Sequence, residues 1–306
     1  MDVVLSLAAN VLQEGLLYGV MAIGVYITYQ VLNFPDLSVE GTFALGACLS
    51  GAMISAGISP WLACLAALIC GAAAGGVTGL LHVKLHITDL LSGILVMISL
   101  WSVNLVITNG SAVLAYYNKP TVFTSGPAAL IPASMADLRI LAVAFVFCAA
   151  VKILVDLYLK TKSGLLLRAA GGNPRFVVSL GRDPGNLKIL GLMIGNGLTA
   201  LSGCILCQRE ESADISSGTG MIVMGLAAVI IGINLFGRLK FPRATTAVVL
   251  GAILYRACLA VAMQIGLPTN FLKLLMAALF TAALVMNNFA PQGGRRKKQD
   301  VNPTRL

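Results

Sequence analysis

Long apolar stretches follow one another along almost the whole chain, and they constrain its fold more than any other feature. Of the 306 residues, 58% are hydrophobic and only 11% are charged, whereas soluble domains carry about 25% charged residues. A bilayer core of about 30 Å is crossed by about 20 apolar residues in a helix, which satisfies its own backbone hydrogen bonds. The composition therefore excludes a soluble enzyme, a nucleic-acid-binding protein and a disordered chain.

Nine stretches are predicted to cross the membrane as helices. They cover roughly residues 9–32, 39–56, 61–81, 90–108, 138–158, 188–208, 221–236, 244–264 and 271–288. The expected fold is an all-α polytopic membrane helix bundle of about nine spans, with a single transmembrane domain at 1–290 and a basic tail at 291–306.

Glycines recur at four-residue spacing inside two of these stretches. They are Gly71, Gly75 and Gly79 in one, and Gly191, Gly195 and Gly203 in the other, where the small residue Thr199 occupies the position between the last two. Small residues on one helical face let helix backbones approach closely in lipid. The spacing predicts tightly packed helices, and a moving interface that lines a pathway is the alternative interpretation.

Basic residues are concentrated in alternate links between the predicted spans. One set of links, together with the tail, carries fifteen Lys and Arg residues, whereas the other set carries two. The positive-inside rule places the basic set in the cytoplasm. We therefore expect a plasma-membrane protein with its amino terminus outside, its carboxyl terminus in the cytoplasm, and the long link at 159–188 on the cytoplasmic side.

Motifs for catalysis and for binding of cofactors or metals are missing from the sequence. There is no Gly-x4-Gly-Lys-[Ser/Thr] phosphate-binding loop, no HExxH and no nucleophile motif. The only histidines are His82 and His86, without a neighbouring Glu, and the seven cysteines all lie in apolar stretches. The sequence predicts neither an enzyme nor a resident cofactor, metal or disulfide framework.

The long link contains a short helix with both ends marked. Asn173 is a good N-cap residue and Pro174 fits the first helical position, whereas Gly181 fits the position just after the helix. Residues 175–180 between them form fewer than two turns.

One face of this short helix is apolar, with Phe176, Val177 and Leu180. A short amphipathic helix beside a bilayer lies on the lipid or docks into a groove of a partner. An ordinary structured loop is the alternative.

A second polar segment, residues 32–47, lies between the first two predicted spans. Pro35 is expected to interrupt the helix, Ser38 to cap the next one, and Asp36 and Glu40 to lie close to the membrane. Ionisable groups at membrane depth usually face a pathway or a partner. Alternatively, both acids mark the start of a helix, where the helix dipole favours negative charge.

Two further polar positions interrupt later spans. Gly232 and Asn234 precede a basic turn, where a broken helix end suits a pathway constriction and a simple helix end is the alternative. Arg256 falls within a span. It is expected either to pair with Glu14 or Glu40 or to line a cavity, unless the span is shifted and the side chain reaches the interface.

Three segments in this order resemble the permeases of the branched-chain amino-acid/monosaccharide type of ABC importer. They are Asn33-Phe34 with Asp36-Leu37-Ser38-Val39; then Gly164, Arg168, Ala169 and Gly181 followed by Gly195, Ala200, Leu201 and Gly203; and last Gly232, Asn234 and Gly237. Glu40 stands before Gly41, which departs from the family pattern and indicates a divergent subgroup.

The resemblance implies a vitamin-importer-like (type II) architecture and transport powered by a separate ATPase. The segment 173–181 is then the coupling helix. Implied partners are two ATPase subunits, a second copy or homologue of the permease, an external solute-binding protein or lipoprotein, and membrane lipid, with no nucleic acid. The residues expected to contact the ATPase are Arg168, Asn173, Pro174, Arg175, Phe176, Val177, Leu180 and Gly181.

The expected function is import of a small organic solute, with an aromatic or branched-chain amino acid favoured over a sugar or a nucleoside. The residues expected near the path are Asn33, Asp36, Ser38, Glu40, Gly232, Asn234 and Arg256. A secondary transporter or channel acting without an ATPase is the main alternative, and a membrane-embedded enzyme is a weaker one.

Overall fold

A computed structural model describes residues 2–126, 128, 135–236, 243–266, 268 and 271–289. The basic tail at 291–306, Gly237 and Arg238 lie outside the described residues. The helices are α1 Asp2–Val25, continued by a π-helical turn Tyr26–Val31, α2 Ser38–Ser55, α3 Pro60–Val83, α4 Asp89–Ile107, α5 Ala136–Tyr158, α6 Lys162–Gly172, α7 Pro174–Ser179, α8 Pro184–Glu210, α9 Met221–Phe236, α10 Ala244–Gln264 and α11 Leu272–Phe289.

Seven of the described helical segments are long and apolar enough to cross a membrane. They are Ser6–Val31, Pro60–Val83, Asp89–Ile107, Ala136–Tyr158, Pro184–Glu210, Ile215–Phe236 and Ala244–Gln264. The predicted spans at 39–56 and 271–288 do form helices, α2 and α11, but these are not among the seven. The all-α membrane bundle is confirmed, whereas the count of about nine spans is not.

The bundle is built around α1 and α8, whose residues are mostly buried. α8 packs against α1, α2 and α3, and α1 also packs against α5 and α10. The outer faces of α3, α4 and α5 expose large apolar side chains such as Ile69, Ile98 and Phe145. Such faces are expected to contact lipid rather than water. These exposed faces therefore agree with the long apolar stretches of the sequence.

Opposite ends of α8 carry different structures. At its carboxyl end, strands β1 (Val113–Ala115) and β2 (Ser212–Asp214) pair antiparallel; this is the strand end. At its amino end lie α6 and α7; this is the short-helix end. The 27 residues of α8 span about 40 Å at 1.5 Å per residue.

The spaced glycines lie where helix backbones meet. A Cβ on Gly71 would lie 2.7 Å from the Asn196 carbonyl oxygen, and one on Gly79 would lie 2.8 Å from the Ile189 Cα. A Cβ on Gly203 would clash with the Phe43 carbonyl group of α2. The packing prediction is confirmed: the α3 glycines fit α3 against α8.

Gly75 offers a direct test of this contact because Gly76 provides a matched control. A Cβ on Gly75 would clash with the Leu192 carbonyl and lie 2.8 Å from Asn196 Cβ, whereas one on Gly76 would lie 3.4 Å from Met193 Cγ. We expect Gly75→Ala to cost about 1–3 kcal/mol through overpacking and Gly76→Ala to be neutral or slightly stabilising. Thermal unfolding in detergent measures both, and equal midpoints for the two variants would contradict the tight α3–α8 contact.

Candidate functional site

The helical conformation is interrupted between α1 and α2 inside the bundle, at residues 32–37, which we call the helix break or the break. The π-helical turn ends at Val31 and α2 begins at Ser38, with Pro35 in the non-helical link, as the sequence predicts. Asn33 in this link has a positive φ of 55°, a conformation that Asn tolerates better than most residues. The link reaches the level of Asn196, in the middle of α8, so α2 starts about halfway along α8.

Asp36 is the centre of a buried polar network at this break. Its Oδ1 accepts hydrogen bonds from the Ser38 amide at 2.9 Å and from the Ser38 hydroxyl at 2.6 Å. Its Oδ2 accepts a hydrogen bond from Asn196 Nδ2 at 2.6 Å, and Asn196 Oδ1 accepts one from the Thr42 hydroxyl at 2.8 Å. The network therefore ties the start of α2 to the middle of α8.

The predicted capping role of Ser38 is wrong. Leu37 is the N-cap residue of α2 and makes no side-chain cap bond, while the Ser38 hydroxyl turns back to Asp36. The Asp36 carboxylate instead accepts the Ser38 amide, because an acid two residues before a helix amide can satisfy that orphan donor.

Glu40 lies in the first turn of α2, near the start of α9. Its Oε1 accepts a hydrogen bond from the Gly220 amide at 2.9 Å. A Cβ on Gly218 would clash with the Glu40 carbonyl, so the 3-10 turn Ile215–Gly218 packs directly on α2. Glu40 therefore lies between two helix starts, where negative charge is favourable.

A half-open cavity of about 380 Å³ lies beside Glu40. Its walls come from α2, α4 and the segment 215–219; they include Glu40, Trp101, Ser102 and Asn104. Asn104 is 1% exposed, and its Oδ1 has no hydrogen-bond partner among the described residues. The cavity thus combines an acid, an amide and an indole at one wall of the bundle.

A second cavity, of about 540 Å³, lies at the short-helix end below the break. Asn33 and Arg168 both line it, together with Tyr26 and Gln30. A Cβ on Gly171 would clash with the Val31 carbonyl. The structure therefore brings α6 of the predicted coupling link directly against the helix break.

The short helix α7 forms as the sequence predicts. Asn173 is its N-cap and accepts a hydrogen bond from the Phe176 amide at 3.3 Å, and Pro174 is its first residue. Gly181 follows with a φ of 69°, a conformation that favours glycine. Arg175 is exposed.

The apolar face of α7 is only partly available to a partner. Val177 is fully buried because α7 packs on α6 and α8. The exposed apolar side chains are Phe176, Val178 and Leu180, at 51%, 60% and 53%. Val178 is exposed although the sequence analysis did not select it, and Val177 serves the fold instead.

Gly232, Asn234 and Arg256 do not join the site at the break. Gly232 is buried against the backbone of Ala247 and Val248 in α10. This close helix packing explains why a glycine occupies the position. Asn234 lies near the end of α9, where its buried Nδ2 has no partner among the described residues.

Arg256 forms an ion pair with Glu14, the first of the partners expected for it. Glu14 Oε1 also accepts a hydrogen bond from Arg209 at 2.8 Å. The Arg256 guanidinium lies 5.0 Å from the centre of the Tyr18 ring, within cation–π range. This cluster joins α1, α8 and α10.

Sequence reasoning missed Asn196, Trp101 and Asn104. Asn196 falls within an apolar span and contacts Asp36 across 160 positions. Trp101 and Asn104 occupy one face of α4 beside the cavity. The available signal was an asparagine within each of these apolar spans. Only the fold shows that Asn196 lies near Asp36 and that Asn104 lines the same cavity as Glu40.

Comparison with known proteins matches residues 7–284 to the family described as the branched-chain amino acid transport system permease component. The chain is 42% identical to the tyrosine transport system permease protein of Clostridioides difficile over 91% of this chain and 90% of the relative. It is 29% identical to the ribose import permease protein RbsC of Escherichia coli over 73% of this chain and 68% of the relative. No solved structure matches this chain significantly.

A double-mutant cycle tests the polar network. Asn196→Leu leaves the buried Asp36 Oδ2 without its donor, so we expect a loss of about 1–3 kcal/mol or more in unfolding free energy. Asp36→Leu is expected to destabilise similarly, and the double variant is expected to lose less than the sum of the two losses because the acid and its donor are both gone. Additive shifts in thermal unfolding would contradict the coupling.

Proposed function

Because this chain belongs to the branched-chain amino acid transport system permease family, we propose that it imports an amino acid as the permease of an ABC transporter in the plasma membrane. Its multi-pass helical bundle and its relatives support the permease assignment. The relative named for tyrosine transport is more similar than the ribose permease and covers more of the chain. This difference favours an amino acid, aromatic in the first instance, over a sugar.

The observation that best supports an ATPase partner is α7 itself. Permeases of ABC import systems work with ATPase and solute-binding proteins, and α7 is a capped helix with three exposed apolar side chains at one end of the bundle. In the proposal, Phe176, Val178 and Leu180 dock on the ATPase. The ends of α7 are set by Asn173, Pro174 and Gly181. Positive charge on the same docking surface comes from Arg168 and Arg175.

We further propose two permease copies, two ATPase subunits at the short-helix end and a solute-binding protein at the strand end. The short-helix end is then cytoplasmic, with the amino terminus outside and the carboxyl terminus inside. The excess of basic residues in links on this side supports the orientation. Glu211 and Asp214 at the strand end are candidates for contact with the binding protein.

The contacts suggest how force reaches the path. α7 packs on α6, and Gly171 of α6 lies against the Val31 carbonyl at the helix break. The break continues to Asp36 and Ser38, which are bonded to α8. In the proposed mechanism, a movement of α7 shifts the break and the start of α2, with Asn33, Asp36, Ser38 and Glu40 near the path.

Two features argue against a secondary transporter or channel that works without an ATPase. Such a protein needs no docking surface for an ATPase, whereas α7 and the residue after it expose three apolar side chains. In addition, Glu14 and Asp156 are bonded to arginine or lysine. These ion pairs make two carboxylates of the described spans unsuitable for a proton or ion relay.

The docking surface is tested by Phe176→Asp. A charge at this position replaces a 51% exposed aromatic side chain, so we expect co-purification of the ATPase to fall by about tenfold or more, as for an interface anchor. Tyr117→Asp is the matched control, since Tyr117 is a 66% exposed aromatic residue beside β1. An intact complex with Phe176→Asp, or equal losses in both variants, would contradict docking at α7.

The coupling route is tested by a neighbouring pair of glycines. A Cβ on Gly171 would clash with the Val31 carbonyl and lie 2.9 Å from the Leu32 backbone, whereas a Cβ on Gly172 meets no described atom within 4 Å. We expect Gly171→Ala to lower import per ATP hydrolysed by about threefold or more, since overpacking costs about 1–3 kcal/mol. Gly172→Ala is expected to be unchanged, and equal coupling ratios in reconstituted vesicles would contradict the route.

A further inference from the structure

We propose that the cavity beside Glu40 is the solute site, and that it binds the ammonium group and an aromatic or large apolar side chain of the solute. The inference rests on the proposed import of an amino acid and assigns its recognition to Glu40, Asn104 and Trp101. Three observations carry it, all within the described residues: an acid with no cation within 4 Å, an amide with an unused acceptor, and an exposed indole in one cavity.

Glu40 lacks the basic partners that Glu14 and Asp156 have. Glu14 pairs with two arginines, and Asp156 pairs with Lys152 and Arg243. In the part of the chain that the structure describes, no basic side chain lies within 4 Å of Glu40. Lys273 lies beyond ion-pair distance of the Glu40 carboxylate and interacts with it only through longer-range electrostatics.

Asp36 also has no basic side chain within 4 Å among the residues that the structure describes, but its position leaves no room for a cation. It is 2% exposed, and its two oxygens accept three hydrogen bonds from Ser38 and Asn196. Glu40 is only partly buried, faces the cavity and accepts backbone hydrogen bonds from the amides of Gly220 and Ile222. Since a carboxylate has about four acceptor positions, Glu40 keeps capacity for a solute ammonium group.

Asn104 adds a second polar group to the same wall. Its Nδ2 lies 3.5 Å from the Gly41 carbonyl, a long hydrogen bond, while its buried Oδ1 has no partner among the described residues. A buried unpaired acceptor costs about 1–3 kcal/mol, which a donor from a bound solute would recover. The ammonium group of an amino acid has three such donors.

Trp101 supplies the apolar part of the cavity. Its side chain is 50% exposed, and Met97 and Ile98 line the cavity next to it. An indole stacks on aromatic rings and attracts cations. The volume of about 380 Å³ lies within the ~300–1,000 Å³ of small-molecule sites, so a single amino acid is the size of solute that fits.

Glu40→Gln isolates the charge from the shape of the site. Glutamine keeps an oxygen that accepts the Gly220 amide but cannot form an ion pair. In vesicles with the assembled transporter, ATP and loaded solute-binding protein, we expect L-tyrosine uptake to fall by about tenfold or more, since a hydrogen bond to a charged group contributes about 1.5–3 kcal/mol. Glu40→Asp is expected to retain more uptake than Glu40→Gln, and stimulated ATP hydrolysis is expected to stay within about twofold of wild type in both.

Trp101 has a matched control because the chain contains only two tryptophans. Trp101→Ala is expected to lower L-tyrosine uptake by about two- to tenfold, the range of an aromatic pair contact, and Trp101→Phe to recover most of it. Trp61 stacks on Phe147 instead and is absent from the residues that line this cavity. Trp61→Ala should therefore leave uptake unchanged.

The outcomes separate this site from the proposed function. If wild type and Glu40→Gln import L-tyrosine equally, the proposed solute site at Glu40 is wrong, whereas the proposed import of an amino acid is supported. If Glu40→Gln loses uptake together with ATP hydrolysis, Glu40 is structural and the site is also contradicted. If the wild type imports D-ribose and no L-tyrosine, both the amino-acid substrate and this site are wrong, because ribose has no ammonium group.

Discussion

This structure depends on the buried hydrogen-bond network that joins Asp36 to Ser38 and Asn196. Asp36 is buried in the middle of an apolar bundle, where an acid without donors would be costly. Ser38 and Asn196 provide three donors to its two oxygens. With those bonds in place, the chain can stop being helical after Val31, cross part of the bundle as a loop, and start α2 at mid-height.

Breaking a helix at this depth creates polar backbone ends inside the membrane. The start of α2 and the turn before α9 meet there, and Glu40 bonds to the Gly220 amide between them. Irregular backbone at membrane depth is tolerated where it is buried in protein or lines a cavity, and discontinuous helices frame the solute sites of many transporters. The proposed ammonium site follows from the same geometry, since Glu40 at this junction faces a cavity and has no basic side chain within 4 Å among the described residues.

Local sequence signals were sufficient for some elements and insufficient for others. The ends of α7 follow from Asn173, Pro174 and Gly181, each of which acts within a few residues, so they were predictable. The burial of Val177 depends on packing by α6 and α8, and the partnership of Asp36 with Asn196 joins segments that periodicity does not relate. The sequence predicts Glu14 or Glu40 as an ion-pair partner of Arg256, but only the fold shows that the partner is Glu14.

The central physical claim is that the break at residues 32–37 is the part of the bundle that responds to the ATPase. Hydrogen–deuterium exchange of the assembled transporter tests it most directly, with peptides that cover 32–40 compared between the nucleotide-free and the ATP–vanadate states. Exchange at the break is expected to change between the two states, while the middle of α8 stays protected in both. Identical exchange at the break in the two states, in a complex that imports its solute, would contradict the claim.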